Sequence, residues 1–192
     1  PVDVMVNCLS QVPANASGVI PTSDNCGGVV SVSFSDAISG QTCPNNFSIV
    51  RSYQATDPCG NTAICIQNIV VNDQVAPVIT CPVNVVVSCA SNVPAPAPAA
   101  IVTADACGGA VNVVLLSDVI TNQICANRFT VNRTYQATDL CGNSALCVQS
   151  ILVNDLSAPV ITCPVNVVVS CASSLPAPAP AAIVTADACG GA

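Results

Sequence analysis

The sequence predicts an all-β protein made of tandem immunoglobulin-like β-sandwich repeats of about 82 residues, stapled by disulfides. A long internal repeat, strand-like alternation of apolar and polar residues, and fourteen cysteines in 192 residues support this prediction. Runs rich in Val, Ile and Thr are bounded by Gly, Pro and Asn, and no stretch shows sustained helical periodicity. Several short strands per unit, separated by turns, are typical of a small sandwich.

The internal repeat defines the expected organisation of the chain. Residues 77–110 recur at 159–192 with two changes, and residues 51–73 recur in similar form at 133–155. We expect a first repeat over 1–75 that lacks the start of its first strand, a complete second repeat over 76–157, and the N-terminal part of a third over 158–192. The sequence looks like a window taken from a longer array.

Alternation marks the strand with the clearest buried face. Phe129, Val131, Tyr135 and Ala137 alternate with polar residues, and the same face recurs at 47–55. Further β-rich runs lie at 83–89, 100–104, 111–116 and 146–153, with turns at 107–109 and 139–143. The Pro-Ala-Pro-Ala-Pro segment 94–98 predicts an extended polyproline crossing.

Two arginines fall in register with these buried positions. Arg51 and Arg133 would be costly to bury without an acidic partner, and Asp36 and Asp118 are the candidates. The alternative is an edge position from which the guanidinium reaches water.

Composition excludes several classes of function. Ten Asp face three Arg, with no Lys, Glu, His or Trp, and the net charge of −7 argues against nucleic-acid binding. We expect no enzyme activity, because acid–base catalysis at neutral pH usually uses His or a tuned Glu or Lys. Despite a mean hydropathy of +0.66, no apolar run is long enough for a helical membrane span. We therefore expect no catalytic residue, no bound cofactor and no nucleic-acid partner.

The cysteines indicate structural disulfides and an oxidising, extracellular compartment. A zinc site would need Cys-x2-Cys or histidine spacing, and neither is present. Six cysteines occur in the complete repeat, at 81, 89, 107, 125, 141 and 147.

Several motifs in the same order resemble the hyalin-repeat (HYR) and HYR-like family. They are APVITCP at 76–82, TSDNCGG at 22–28 with TADACGG at 103–109, and YQATDLCGN at 135–143, with VND at 153–155. The resemblance implies an immunoglobulin-like sandwich in tandem arrays on secreted or cell-surface proteins. It also implies a role in adhesion or extracellular architecture, with no catalytic residues.

A sandwich layout narrows the fifteen possible pairings of six cysteines. When the strands are followed alternately up and down the sandwich, Cys89 and Cys125 fall at one end of it, and Cys107 and Cys141 fall at the other. We therefore expect the bonds Cys89–Cys125 and Cys107–Cys141. Adjacent first and last strands would pair Cys81 with Cys147. The same layout pairs Cys8 with Cys43 and Cys26 with Cys59 in the first repeat. It leaves four cysteines whose partners are expected outside the 192 residues: Cys65, Cys163, Cys171 and Cys189.

Asp and Asn residues supply the remaining candidate sites. Asp105, Asp139 and Asp155, repeated as Asp24, Asp57 and Asp73, are candidate Ca2+ ligands at loop ends or at joints between units. The alternative is a turn-forming Asp that accepts hydrogen bonds from its own backbone. Sequons at Asn15, Asn46 and Asn132 allow glycans, and Ser and Thr are further glycan candidates.

Two hypotheses of function follow. The first is an extracellular fibre, filament or adhesin stalk made by end-to-end stacking of disulfide-rich units, in which the partners are copies of the chain or further repeats of it. The second is a ligand-binding adhesin module of a larger surface protein, Ca2+-dependent or carbohydrate-binding. Sugar platforms usually present aromatic side chains, and the chain has only two Tyr and three Phe.

Overall fold

The computed structural model describes residues 1–180 and 183–190, and within them it confirms an all-β sandwich fold. Twelve strands occur there, with four 3-10 turns and no α-helix. The strands are β1 Val4–Val6, β2 Ser31–Cys43, β3 Asn46–Thr56, β4 Thr62–Asn72, β5 Val78–Thr80, β6 Val85–Val87, β7 Val102–Ala104, β8 Asn112–Cys125, β9 Arg128–Thr138, β10 Ser144–Asn154, β11 Val160–Thr162 and β12 Val184–Ala186. The expected third-repeat segment 158–192 includes four positions, 181, 182, 191 and 192, that lie outside the described residues.

The sheets repeat the same connectivity along the chain. One four-stranded sheet has the order β1-β4-β3-β2, and the next has the corresponding order β6-β10-β9-β8. In each sheet, the strand that comes first along the chain pairs in parallel with the strand that comes last along the chain. β1 pairs with β4, where Val4 lies opposite Ile69, and β6 pairs with β10, where Val85 lies opposite Ile151. Two-stranded antiparallel sheets, β5-β7 and β11-β12, complete the set.

β8 is longer than the sequence predicts. The pattern places a strand at 111–116, whereas β8 continues to Cys125. The extra residues include polar Ser117, Asp118 and Thr121, which break the apolar run. Backbone pairing with β9 does not depend on those side chains, so the hydrogen-bonded ladder continues through them.

Packing divides the chain into two compact units. Unit one comprises Pro1–Thr80, Pro98–Val114 and Tyr135–Cys147, and unit two comprises Cys81–Ala97, Leu115–Thr134 and Val148–Ala192. Residues of the second repeat, expected at 76–157, contribute to both units, and the repeat boundaries themselves stay a prediction.

The core of unit one is small and follows the predicted alternation. Phe47, Ile49, Ile69 and Val71 are buried, and half-buried valines of β1 pack against them. Unit two has the equivalent cluster: Phe129, Val131, Ile151 and Val153. Tyr53 is also buried, and its hydroxyl oxygen accepts a hydrogen bond of 3.1 Å from the backbone N–H of Ala16.

Arg51 lies in the buried row, and the structure selects the ion pair rather than the solvated edge. It is only 5% exposed and stands opposite Asp36 in the β2–β3 ladder. Its Nε and Nη2 donate to the two carboxylate oxygens of Asp36 at 2.8 and 2.9 Å, and Nη1 donates to the carbonyl of Pro13 at 2.8 Å. Arg133 and Asp118 form the same pair in unit two.

Candidate functional site at the junction between repeats

Two disulfides in unit one join the first repeat to the second. Cys8 bonds Cys107 with a Cα–Cα distance of 4.9 Å, and Cys43 bonds Cys141 with a Cα–Cα distance of 5.3 Å. Both distances lie in the ordinary range for disulfides. Each bond joins cysteines about 100 residues apart, so the junction closes long loops of chain.

The pairings differ from those expected from the sandwich layout. The expected bonds Cys8–Cys43 and Cys107–Cys141 do not form, because each of these four cysteines bonds across the junction. The Cys8 and Cys43 segments nevertheless lie near each other, as the layout expects. The Leu9 N–H donates to the side chain of Asn45 at 2.9 Å, which brings the Cys8 and Cys43 segments together at one end of the first repeat.

The same bond pattern recurs in unit two. Cys89 bonds Cys189, one repeat on from the Cys8–Cys107 bond, with a Cα–Cα distance of 5.0 Å. This corrects two expectations, since Cys89 was expected to bond Cys125, and Cys189 was expected to find its partner outside the 192 residues. Cys125 is instead an exposed free thiol.

The remaining cysteines fall into two groups. Cys81 and Cys147, which the layout pairs with each other, are both disulfide-bonded. Cys26 and Cys59, which the layout also pairs, are free and exposed, so that expected bond does not form. Three further thiols are free and exposed in the described residues: Cys65, Cys163 and Cys171.

The loop that carries Cys107 is shaped by Asp105 and by two glycines. The Asp105 carboxylate accepts a hydrogen bond of 2.9 Å from the Cys107 N–H. Gly108 and Gly109 follow with φ of +73° and +103°, backbone conformations that a side chain would strain. The repeated D-x-C-G-G motif therefore builds a turn that presents the cysteine.

The loop that carries Cys141 is built around Asp139. Its carboxylate accepts backbone hydrogen bonds from Cys141 at 2.8 Å and Asn143 at 2.9 Å, and the Asn143 side chain donates to it at 2.9 Å. Burial works to raise the pKa of Asp139, but the hydrogen bonds from Asn143, Cys141 and Gly142 outweigh it and lower the pKa below the usual value.

Two asparagines that the sequence analysis did not single out bridge the junction. The side chain of Asn45, which is 7% exposed, donates to the carbonyl of Cys107 at 3.4 Å. The side chain of Asn143 donates to the carbonyl of Asp73 at 3.2 Å. Asn127 repeats the first contact in unit two, where it donates to the carbonyl of Cys189 at 3.4 Å. A sequence signal was available, since an Asn two residues after each of Cys43 and Cys125 recurs at the repeat spacing.

The candidate calcium ligands act as turn-forming residues in the structure. Asp105 and Asp139 accept backbone hydrogen bonds within their loops, and Asp155 accepts one from Ser157 at 2.9 Å. Asp24, Asp57 and Asp73 do the same in the first repeat, with Cys26, Cys59 and Val75 as donors.

Two of these carboxylates nevertheless meet at the junction. Oxygen atoms of Asp73 and Asp105 lie within 4.8 Å of each other and of the Cys107 sulfur, and Asp155, Asp187 and Cys189 form the same cluster in unit two. The sulfur atoms belong to disulfides, so they are not thiolate ligands. Asp105 Oδ2 is buried and has no hydrogen-bond partner among the described residues. Calcium binding by the carboxylates stays a prediction.

The glycan candidates differ in accessibility. Asn15 is exposed, whereas Asn46 and Asn132 are half-buried within strands. Asn132 also donates from its side chain to the Thr121 hydroxyl at 3.2 Å. Asn15 is therefore the most accessible of the three, and glycosylation itself stays a prediction.

Comparison with known families identifies the complete repeat. Residues 77–153 match the family model described as an HYR-like domain with 4 cysteines. The matched range contains six cysteines. No curated protein matches the chain. No helix in the described part of the chain is long and apolar enough to cross a membrane. The family and the disulfides together indicate a domain of the extracellular, disulfide-rich type.

Proposed function

We propose that this chain is a structural element of a secreted or cell-surface array, in which successive HYR-like repeats are stacked end to end and bonded across each junction. The Cys8–Cys107 and Cys43–Cys141 bonds carry this proposal. A repeat that acted alone would gain most from bonds within its own small core. Bonds between repeats instead fix the orientation of one repeat on the next, as a stalk or fibre requires.

The junction resists both bending and pulling. The peptide linker after Asp73 is bypassed by two disulfides, so a load applied along the array passes through covalent bonds at two further points. Asn45 and Asn143 add hydrogen bonds on either side of them. A joint held at several separate points cannot swivel about a single linker.

Low charge and exposed β-structure fit the same role. β2 is an edge strand of the first four-stranded sheet, and it exposes apolar Phe34 (44% exposed) and Ile38 (61% exposed). Its only charged side chain, Asp36, is neutralised by Arg51. An edge without charged gatekeepers favours lateral association between neighbouring molecules.

The competing proposal is a ligand-binding adhesin module. A hollow of about 230 Å3 in unit one is lined in part by Ile20, Tyr53 and Cys65. Ligand pockets are usually about 300–1,000 Å3, so this hollow is small for a ligand site, and a second hollow of about 340 Å3, lined in part by Pro98 and Val111, is at the lower limit. Neither hollow is lined by a charged side chain that could orient a polar ligand. We therefore favour the structural role, which carries no catalytic activity.

Electron microscopy of material isolated from the producing cells tests the proposal. We expect filaments with an axial repeat that survive denaturing detergent and come apart only when reductant is added. Discrete particles of uniform short length, with and without reductant, would contradict a fibre or stalk and support the adhesin module.

A further inference from the structure

Two cysteines of the first repeat are exposed free thiols, whereas the equivalent cysteines of the second repeat form disulfides across the junction. Cys26 in TSDNCGG corresponds to Cys107 in TADACGG, and Cys59 in TDPCGN corresponds to Cys141 in TDLCGN. Cys107 and Cys141 bond the first repeat, whereas Cys26 and Cys59 are free. The first repeat therefore presents the same pair of cysteines without partners from within the described residues.

The Cys26 loop has the shape of its bonded counterpart. The Asp24 carboxylate accepts a hydrogen bond from the Cys26 N–H at 2.6 Å, and the matching distance in the Cys107 loop is 2.9 Å. Gly27 and Gly28 have φ of +74° and +114°, close to the +73° and +103° of the glycines after Cys107. The loop thus holds the bonding conformation with its thiol free.

The Cys59 loop is preformed in the same way. The Asp57 carboxylate accepts backbone hydrogen bonds from Cys59 and Asn61, both at 2.8 Å, and the corresponding distances around Cys141 are 2.8 and 2.9 Å. Hydrogen bonds from the Asn61 side chain and backbone lower the pKa of Asp57. Its charged form is therefore favoured, and that form accepts the bonds that shape the turn.

The two loops touch each other as their counterparts do. A Cβ placed on Gly28 would lie 2.9 Å from Cγ of Pro58, and one placed on Gly109 would lie 3.3 Å from Cδ1 of Leu140. Both thiols are therefore carried on one contiguous end of the first repeat. In the second repeat, the cysteines of the equivalent end do not bond each other but bond outward.

We infer that the end formed by loops 22–28 and 57–61 is a docking end that accepts a second HYR-like repeat through two disulfides at Cys26 and Cys59. The partner presents a Cys8-type and a Cys43-type cysteine, and the docked junction reproduces the one inside unit one. This inference rests on the proposed function and names the partner at that end. This occupant follows from continuity with the observed junction, since the two loops form the same turns as their bonded counterparts and meet each other at the equivalent positions.

Each bond forms by oxidation of two thiols. The thiolate of Cys26 attacks a low-molecular-weight disulfide such as oxidised glutathione and forms a mixed disulfide, and one glutathione thiol leaves. The partner's thiolate then attacks the Cys26 sulfur and releases the second glutathione thiol. The two protein thiols lose two electrons and two protons in total, which reduce one glutathione disulfide to two thiols.

Disulfide mapping of material isolated from the producing cells tests the docking end. Free thiols are first blocked with N-ethylmaleimide, and the unreduced protein is then cleaved before Asp residues and analysed by mass spectrometry. The peptide 24–35, which carries Cys26, differs in sequence from the equivalent peptide around Cys107. Peptides with Cys107 and Cys141 are the internal control, and we expect them joined to the peptides of Cys8 and Cys43.

We expect Cys26 and Cys59 each to be joined to a peptide of the Cys8 or Cys43 type. A maleimide on either cysteine, a glutathione cap, or a bond between the two would overturn the inference. Gels with and without reductant then show whether the partner repeat belongs to a separate chain or to the same one, and both results support docking. If the material forms filaments but Cys26 and Cys59 carry maleimide, the docking end is refuted and the proposed fibre is not. If the expected bonds are found in discrete particles, the fibre is refuted and the docking end is not.

Discussion

Removing one junction disulfide is expected to destabilise the whole chain. In a Cys43→Ser, Cys141→Ser double variant, the Cys8–Cys107 bond remains and still closes a loop of 99 residues. With Cys8–Cys107 in place, the Cys43–Cys141 bond closes a second ring that consists of residues 8–43 and 107–141, roughly 70 residues in total. The chain-entropy model gives a stabilisation of about 4.4 kcal/mol at 25 °C for closing a ring of that length. Measured disulfide contributions are usually about 2–4 kcal/mol, so we expect a loss of at least about 2 kcal/mol.

Chemical denaturation measures this loss. Tyr53 and Tyr135 are buried at 1% exposure, so tyrosine fluorescence reports their release during unfolding in guanidinium chloride. The matched control is Cys65→Ser, which removes an exposed thiol that forms no disulfide in the described chain. Equal unfolding midpoints for the double variant and this control, with wild-type bonds verified by mass, would refute the loop-closure reasoning.

A cut in the linker separates the observed pairing from pairing within repeats. A protease site inserted at Gln74–Val75 divides the chain between the first and second repeats. Because Cys8 and Cys43 bond beyond the cut, both fragments should migrate together on a denaturing gel until reductant is added. In the double variant, Cys8–Cys107 alone should still hold them. Release of the fragments without reductant would show that the bonds lie within repeats.

The remaining predictions concern the ion pair, a loop glycine and the redox state. Asp36→Asn should lower the free energy of unfolding by about 2 kcal/mol at pH 7, because it removes charge-assisted hydrogen bonds to buried Arg51. The hydrogen bonds from Arg51 hold the pKa of Asp36 below its usual value. The ion pair therefore contributes its full stability above the ordinary Asp pKa, and that stability is lost as the pH falls through the lowered pKa. Wild type and variant should accordingly have converging stabilities in acid melts. Gly28→Ala, at φ +114° and against Pro58, should cost more stability in the same melts than Gly27→Ala, which meets open space at φ +74°. Reduction should abolish resistance to heat and protease, and equal melting temperatures with thiols shown to be released would contradict this.

The fold was predictable because its determinants are local and repeated. Alternation placed Phe129, Val131 and Tyr135 on the buried face, and all three are buried. Asp36 was identifiable as the candidate partner of Arg51, because a buried guanidinium needs an acid, but the sequence pattern left open a solvated edge position for Arg51. The length of β8 was not, since ladder hydrogen bonds carry it through polar residues that leave no periodic apolar signal.

The disulfide pairing failed for a different physical reason. Strand order places cysteines at one end of a sandwich or the other, and that placement was correct for the loops of Cys107 and Cys141. Whether a cysteine bonds its neighbour at the same end or the facing end of another repeat depends on side-chain direction at the junction. Closely similar repeats make both choices consistent with the same sequence pattern, so the periodicity that revealed the repeat left its pairing open.

The position of the bonds changes what stabilises each repeat. A core of four buried apolar side chains with flanking valines, such as that around Phe47 and Ile69, is small, and small cores are marginal on their own. A bond across the junction restricts the unfolded chain of two repeats at once. When one repeat unfolds, the bond still ties it to the other repeat. Stability then depends on nearest-neighbour terms, as in other repeat proteins, and a repeat bonded on both sides should be more stable than one bonded on a single side.

Hydrogen exchange on the oxidised chain can test this order of stability. The repeat that contains β3 is bonded through Cys8 and Cys43 while Cys26 and Cys59 are free, whereas the repeat that contains β9 is bonded at both ends through Cys107, Cys141 and Cys89. In a chain whose Cys26 and Cys59 are kept free, the amides of β3 should therefore exchange faster than the equivalent amides of β9. Equal protection in the two strands would show that the junction bonds tether the repeats without stabilising them.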